Sequence, residues 1–121
     1  MARKHHGLVV WQEAMALVQH VYELTAKFPD HERFALSSQM RRAAVSVPSN
    51  IAEGAGRHGA REFARFLLMA RGSLSELETQ VIISKNLGYV DSTREIEARI
   101  DKLFALLAGL LNSMNRKEKV G

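Results

Sequence analysis

The chain has 121 residues, of which 46% are hydrophobic and 25% are charged, and it contains no cysteine. This composition is typical of one globular domain and excludes a disordered chain, a disulfide framework and thiolate metal sites. No apolar run reaches the roughly 20 residues that a membrane-spanning helix needs, and the first residues, followed by Glu13, do not have the pattern of a signal peptide. We therefore expect a single cytoplasmic domain over residues 1–121.

The positive charge is concentrated in the middle of the chain. The net charge is +4, yet residues 33–71 contain seven arginines and only two acidic residues, whereas the rest of the chain has 10 basic and 11 acidic residues. Guanidinium groups bind phosphates and carboxylates through two parallel hydrogen bonds. This segment therefore indicates either a polyanionic partner or a protein interface that uses arginine.

Apolar residues recur every three or four positions in four stretches, which predicts four amphipathic helices. Pro29 ends the first helix, and Gly88, in the left-handed conformation, ends the third. Asp30 is expected to cap the second helix, and Asp91 or Ser92 the fourth. The predicted helices cover residues 9–27, 33–57, 60–86 and 92–113, and a polar tail that frays is expected from residue 115.

Pro48 interrupts the apolar pattern of the second helix. A proline inside a helix has no N–H to donate, and its ring crowds the carbonyl group four residues earlier, here that of Ala44. The cost is about 3 kcal/mol relative to alanine. We therefore expect a kink or a short break over residues 44–48, held by packing on both sides.

Four amphipathic helices with short connections predict an all-α fold, an up-down-up-down antiparallel four-helix bundle. A second group of apolar residues lies outside the stripes that face the core of this bundle. A bundle of this size cannot bury them all, so we expect self-association through a second face. This group consists of Val45, Leu68, Met69, Ile82, Ile83, Phe104, Leu106 and Leu111.

The glycines of residues 54–59 have the spacing of a dinucleotide-binding motif, G-x-G-x-x-G. That motif requires a preceding strand and a β-α-β unit, whereas a helix is predicted before it here. A glycine-rich turn between two helices is the simpler interpretation. A narrower alternative is that the backbone amides at the start of the third helix bind one phosphate.

Arg57, Arg61 and Arg65 are spaced four residues apart and form a stripe beside the apolar face of the third helix. A solvated face, with its charge reduced by the nearby Glu53 and Glu62, is the simplest interpretation. Because no acidic residue is expected at pairing distance on this stripe, phosphate binding is the alternative, and Arg41 and Arg42 would contribute to it. Most aromatic residues fall in the apolar stripes, so sequence-specific recognition of single strands is not expected.

A polar stripe on the second helix favours an interhelical hydrogen-bond network over a catalytic site. If Glu53 were a base and Ser46 or Ser49 a nucleophile, a suitably spaced histidine would be needed as well, and the sequence offers none. The sequence also lacks a metal-binding motif. We expect no catalytic activity, cofactor or metal. The expected members of the network are Asn50, Glu53, Glu76 and Glu78.

Several motifs resemble those of one bacterial family. The central motif is QMRRAAVSVPSNIAEG at residues 39–54, followed by Gly56 and Arg57. The family consists of four-helix-bundle proteins encoded by intervening sequences in 23S ribosomal RNA genes, and it includes the accessory variability determinant of diversity-generating retroelements. The resemblance covers residues 8–112. Its other motifs are VWQEA at 10–14, FP at 28–29 with Glu32, EF at 62–63, ARGSLSELE at 70–78 and LGY at 87–89.

This resemblance implies a bundle that assembles into a ring-like homopentamer with a basic surface. Retroelement members of the family bind nucleic acid and a reverse transcriptase. We therefore expect a non-catalytic, homo-oligomeric protein that binds nucleic acid, with RNA favoured. The alternative is a protein-interaction or scaffold module whose arginine-rich face binds a protein partner such as a reverse transcriptase. The expected phosphate-binding residues are Arg41, Arg42, Arg57, Arg61 and Arg65.

Overall fold

The computed structural model describes the backbone of residues 2–120 and the side chains of residues 2–118. It contains four α-helices and, within the described residues, no β-strand. The predicted all-α fold of four helices is therefore confirmed. The helices are α1 (Val9–Thr25), α2 (Leu36–Ala55), α3 (Ala60–Asn86) and α4 (Arg94–Val120), and short 3₁₀ turns at Lys4–Gly7 and Asp30–Glu32 precede α1 and α2.

Neighbouring helices run in opposite directions. Gly54, near the end of α2, lies against Phe66 near the start of α3, whereas Ser46, earlier in α2, hydrogen-bonds Ser73, which lies later in α3. The contacts between α1 and α4 show the same inversion, and α1 also packs on α2 and α3 on α4. The four helices therefore alternate in direction around a common core.

The apolar stripes of the four helices meet in one core. Burying an aliphatic or aromatic side chain of this kind stabilises the fold by about 1.5–3 kcal/mol. Each helix contributes at least two fully or almost fully buried residues, so none of the four can be removed without exposing the others. The largest of these side chains are Leu17, Val21, Met40, Val47, Ile51, Leu67, Leu74, Leu77, Val81, Ile100, Leu103 and Leu107.

The α2 helix begins later than predicted. Residues 30–32 form a separate 3₁₀ turn, and Ala35, with φ −119° and ψ −104°, separates it from Leu36, the first residue of α2. Asp30 is therefore not the cap of α2, as was expected. Instead the carboxylate of Glu32 accepts the N–H of Leu36 at 3.3 Å.

The other helix ends also differ from the prediction in detail. The α1 helix ends at Thr25, and beyond it the N–H groups of Lys27 and Phe28 donate to carbonyls three residues back, a 3₁₀ pattern. The α4 helix continues to Val120 because arginine, lysine and glutamate, which dominate this segment, favour helix. Gly88 has φ +76° as expected, and the hydroxyl of Ser92 accepts the N–H of Arg94 at 3.3 Å.

Pro48 lies inside an unbroken helix. The α2 helix is continuous from Leu36 to Ala55, so the short break that was one of the two expectations for residues 44–48 is absent, and the kink stays a prediction. Pro48 and its neighbour Val47 are buried. Packing around this turn replaces the stability that the missing backbone hydrogen bond would have supplied.

Part of the second apolar group remains exposed. Leu111 is buried in the core, which corrects the expectation that it lies outside, and Phe104 and Leu106 are half-buried. The members of this group that remain more than 40% exposed are Val45, Leu68, Met69, Ile82 and Ile83. Self-association through this face stays a prediction.

None of the described helices has a stretch that could cross a bilayer.

The α2 helix lies close against α3 at Gly54. A Cβ atom on this residue would lie 2.6 Å from Cβ of Phe66 and 3.0 Å from Cδ1 of Phe63. Any larger side chain would force the two helices apart, because Cβ of Phe66 is fixed to its backbone.

We expect Gly54→Ala to destabilise the protein by about 1–3 kcal/mol through this overlap. Gly72→Ala is the matched control, because Gly72 is in the middle of α3 and a Cβ atom there meets no atom within 4 Å. The control should stabilise the helix by about 0.5–1 kcal/mol. Urea unfolding followed by circular dichroism measures both, and equal effects of the two substitutions would contradict this role of Gly54 in the packing.

Candidate nucleic-acid interface

The five arginines expected to bind phosphate lie in two separate groups. Arg41 and Arg42 are in the first half of α2, whereas Arg57 follows the end of that helix and Arg61 and Arg65 are in the first turns of α3. At 1.5 Å per residue, the first group lies roughly 24 Å along the helix axis from Arg57. The two groups therefore have to be considered as different surfaces.

The second group belongs to a cluster at the end of the bundle where α1 begins and α4 ends. Lys4 and Lys117 line a groove of about 280 Å³ together with Arg57. Sequence reasoning missed both lysines, because only the alternating direction of the helices brings the two ends of the chain to this point. We call this cluster the basic end, and it consists of Lys4, Arg57, Arg61, Arg65 and Lys117.

Each arginine of the basic end has a carboxylate partner. The expectation that no acidic residue lies at pairing distance on the arginine stripe is therefore wrong. Two of the partners are three or four residues away along the chain, as the spacing allows, whereas Glu118 is on α4 and could not be predicted from spacing. The pairs are Arg57 with Glu53 (3.0 Å), Arg61 with Glu118 (4.0 Å) and Arg65 with Glu62 (2.9 Å).

Two of these arginines also support the turn between α2 and α3. The guanidinium carbons of Arg57 and Arg65 lie 5.2 and 4.7 Å from the ring centroid of the buried Phe66. The hydrogen bond from Arg65 lowers the pKa of Glu62, and the charges of Arg65, Arg57 and Arg61 lower it further. Arg61 is the most accessible of the three, with 89% of its side chain exposed.

The turn between the two helices contains the glycine-rich motif. Gly59, with φ +87°, precedes the first residue of α3, and the N–H of Arg57 donates to the carbonyl of Gly54 at 3.2 Å. The motif thus joins two helices, which is the arrangement that the simpler interpretation of the sequence expected. Binding of one phosphate by the amides ahead of α3 stays a prediction.

A larger groove lies at the opposite end of α2. It is open, has a volume of about 610 Å³, and contains three guanidinium groups and two aromatic rings. None of the described residues that line it is acidic. Asp30 lines a smaller neighbouring groove, to which Arg33 and Arg41 also contribute. We call the larger one the arginine groove, and it is lined by Tyr22, Arg33, Phe34, Ser38, Arg41, Arg42, Val45 and Ser46.

Arg41 is held in place before any ligand binds. Its Nε donates to the hydroxyl of Thr25 on α1 at 2.8 Å, and that hydroxyl in turn donates to the carbonyl of Val21. The guanidinium carbon lies 4.6 Å from the ring centroid of Tyr22. Among the described residues, no hydrogen-bond partner is found for the two Nη nitrogens of Arg41, so these remain able to donate to an anion.

A hydrogen-bonded turn carries the other side of the arginine groove. Arg33 and Phe34 follow Glu32, whose carboxylate accepts the hydroxyl of Tyr89 at 2.7 Å and the N–H of Leu36 at 3.3 Å. These two bonds lower the pKa of Glu32, the bond from Tyr89 most, and the carboxylate raises the pKa of Tyr89. The loop between α3 and α4 therefore fixes the turn before α2.

Of the charged and aromatic residues that line this groove, sequence reasoning identified only Arg41 and Arg42 as site residues. Tyr22 is on α1, and the apolar pattern of that helix gives no sign that it contacts Arg41. Arg33 and Phe34 were included in the predicted second helix, yet they lie in the turn before it. The available signal was an arginine next to a phenylalanine that belongs to none of the apolar stripes.

The interhelical network includes Asn50, as expected, but not the three glutamates that were expected to join it. The hydroxyls of Ser46 and Ser73 are 2.8 Å apart, and the Asn50 amide donates to the hydroxyl and carbonyl oxygens of Ser46. Glu53 pairs with Arg57, and Glu76 accepts from Gln80 at 3.3 Å. For Glu78 no side-chain hydrogen bond is found among the described residues.

The two adjacent histidines before α1 pack against an aromatic ring. The ring centroids of His5 and His6 lie 5.0 and 5.3 Å from that of Trp11, and Nδ1 of His6 accepts the N–H of Arg3 at 2.9 Å. Within residues 2–118, no three side chains of the metal-binding types are grouped closely enough to hold an ion.

Comparison with known proteins identifies a family. The model of the family described as 23S rRNA-intervening sequence protein matches residues 6–109, which is most of the chain. No curated protein matches the chain.

We expect Tyr89→Phe to destabilise the turn that carries Arg33 and Phe34, most strongly near neutral pH. The pKa of Glu32 lies below its ordinary value of 4.5. The hydrogen-bonded carboxylate therefore stabilises the fold above that pH, and this stabilisation is lost as the pH falls below it. The pKa of Tyr89 lies above its ordinary value of 10.0, so the stabilisation from its protonated hydroxyl is lost as the pH rises past that value. Thermal unfolding of both proteins from pH 3 to 11 measures this, and a difference that does not vary with pH would contradict the role of the hydrogen bond.

Proposed function

We propose, from the premise that the chain belongs to the 23S rRNA-intervening sequence protein family, that it is a non-catalytic, homo-oligomeric, cytoplasmic protein that binds nucleic acid. The observation that carries this proposal is the arginine groove. Three guanidinium groups face one open groove, and none of its described lining residues is acidic. Such a surface favours a phosphate-rich ligand, since arginine binds phosphate through two parallel hydrogen bonds.

Arg41 supports this proposal through its fixed position. A free arginine side chain loses rotamer freedom when it binds, which costs about 0.5–1.5 kcal/mol for each immobilised side chain. The hydrogen bond to Thr25 and the contact with Tyr22 have already restricted Arg41. Its Nη nitrogens therefore bind a phosphate at a lower entropic cost than those of a solvated arginine.

The basic end is a secondary binding surface in this proposal. Arg57 and Arg65 are already paired with carboxylates and packed against Phe66, so a phosphate would have to compete with those partners. Arg61 is more accessible, and Lys4 and Lys117 add positive charge beside it. We expect this end to increase the affinity for long polyanions without recognising a particular one.

RNA is the preferred ligand in this proposal, because the name of the family refers to 23S rRNA. Self-association is supported by the apolar side chains that remain exposed on α3, among them Leu68, Met69 and Ile83. An oligomer would present several arginine grooves to one RNA molecule, which would raise the overall affinity through multivalency. Family resemblance suggests five subunits.

A protein-interaction or scaffold module is the second candidate. The ion pairs at the basic end favour it, because they show guanidinium groups engaged with carboxylates in three places. Acidic residues of a partner, such as a reverse transcriptase, or of a neighbouring subunit would bind the same groups.

We expect RNA affinity to fall steeply as salt rises, and Arg33→Ala/Arg42→Ala to weaken binding and flatten that dependence. For single strands the slope of log affinity against log salt changes by about 0.7 for each phosphate that the protein no longer neutralises. Arg71→Ala is the matched control, because this exposed arginine lines neither surface. Fluorescence anisotropy with labelled RNA and duplex DNA across a salt series measures all three proteins.

The same series separates the two candidate functions. Absence of binding at low salt, or an affinity independent of salt, would contradict nucleic-acid binding. If Arg57→Ala/Arg61→Ala/Arg65→Ala dissociates the oligomer on size-exclusion chromatography and leaves RNA affinity unchanged, those arginines serve protein contacts. If it instead flattens the salt dependence and leaves the oligomer intact, the basic end contacts phosphates.

A further inference from the structure

The side chain of Phe34 is unusually exposed. It is 88% exposed, more than any other large hydrophobic side chain among the described residues. Phe34 lies in the turn between the 3₁₀ segment and α2, so it contributes to no apolar stripe. Exposing a phenylalanine ring to water is unfavourable, because the ring gains free energy when it is buried. The fold itself does not use this ring.

The turn presents this ring in a defined place. Hydrogen bonds from Tyr89 and Leu36 hold Glu32, which lies shortly before Phe34 in the chain. Ala35, immediately after Phe34, departs from helical geometry. Phe34 is therefore exposed on a constrained turn. A residue on a constrained turn loses little backbone entropy on binding a ligand.

Guanidinium groups lie beside this ring and beside the second aromatic residue of the groove. The guanidinium carbon of Arg33 lies 5.3 Å from the ring centroid of Phe34, and Arg41 lies over Tyr22 on the opposite wall. Since Arg33 covers part of one face of Phe34, the high exposure of this residue leaves the other face open. Arg42 adds a third positive charge to the same groove.

A ligand that matches this groove needs both a flat π surface and negative charge. A nucleotide has both, because its base stacks on aromatic rings and its phosphate binds arginine. The volume of about 610 Å³ is within the range of about 300–1,000 Å³ of small-ligand pockets, so one nucleotide unit fits. Bases inside a duplex are already stacked, so the match is to an unpaired one.

We propose that the arginine groove binds one unstacked base of single-stranded RNA against the open face of Phe34, with the flanking phosphates on Arg33, Arg41 and Arg42. This inference rests on the proposed function and narrows its ligand from nucleic acid to an unpaired RNA segment. Stacking is tolerant of base identity, so the groove selects single strands over duplexes and not one sequence over another.

The test compares single-stranded RNA that contains one 2-aminopurine with duplex RNA of the same length. In Phe34→Ala and Phe34→Leu, we expect single-strand affinity to fall roughly tenfold to a hundredfold. Phe34→Tyr, which keeps a stacking ring, retains the affinity of the original protein. Duplex affinity and the salt dependence stay unchanged, because no charge is removed. The fluorescence of 2-aminopurine changes on binding only when the ring is present.

Controls separate stacking from effects on folding. Phe34 variants should unfold at the original temperature, because an exposed residue contributes little to the core. Leu87→Ala, which removes another exposed apolar side chain outside the groove, should leave single-strand affinity unchanged.

Other outcomes would overturn the inference in different ways. If RNA binds with steep salt dependence but Phe34→Ala has no effect, the groove holds phosphates only, and the proposed function survives without stacking. If Phe34→Ala changes the oligomer on size-exclusion chromatography and leaves RNA affinity unchanged, the ring is a contact between copies of the chain. If no RNA binds but an acidic peptide with aromatic residues does, and Phe34→Ala abolishes this, both proposals fail and the groove is a protein-binding site.

Discussion

The close packing of α2 against α3 is the constraint on which both arginine surfaces depend. Gly54 lets the two helices approach until backbone and side-chain atoms touch, and the pair of Ser46 and Ser73 fixes the same register further along. At one end of this contact, Arg57 and Arg65 meet over Phe66. At the other end, the first half of α2 is left free on its outer side, and there the arginine groove forms beside α1.

The arginine groove and the basic end differ mainly in whether their guanidinium groups are paired with carboxylates, and less in the number of arginines. At the basic end, carboxylates three or four residues away neutralise the guanidinium groups and position them for the turn between the helices. In the arginine groove, the partners of Arg41 are a hydroxyl and an aromatic ring, both of which position the group without neutralising it. Fixed but uncompensated positive charge is what binding an external anion requires.

The fold was predictable because helical periodicity records which residues face the core. The stripes of Leu17, Met40, Leu74 and Leu103 lie where the spacing placed them. The start of α2 was not predictable, because Arg33-Phe34-Ala35 continues a helix as well as a turn until Glu32 binds Tyr89, which is 57 residues away. Several site residues could not be predicted for the same reason, because they meet only in the folded chain. Lys4 and Lys117, or Tyr22 and Arg41, come together only through packing. By contrast, the partners of Arg57 and Arg65 are three or four residues away along the chain, a spacing at which helical side chains meet.

The central claim is that the arginine groove, and not the basic end, is the principal surface for RNA. Ultraviolet cross-linking of uridine-containing single-stranded RNA to the full chain, followed by mass spectrometry of the digested protein, tests it most directly. We expect cross-links in the segments that contain Tyr22 and residues 33–46. Cross-links confined to residues 57–65 and to the segments around Lys4 and Lys117, under conditions where binding is measured, would contradict it.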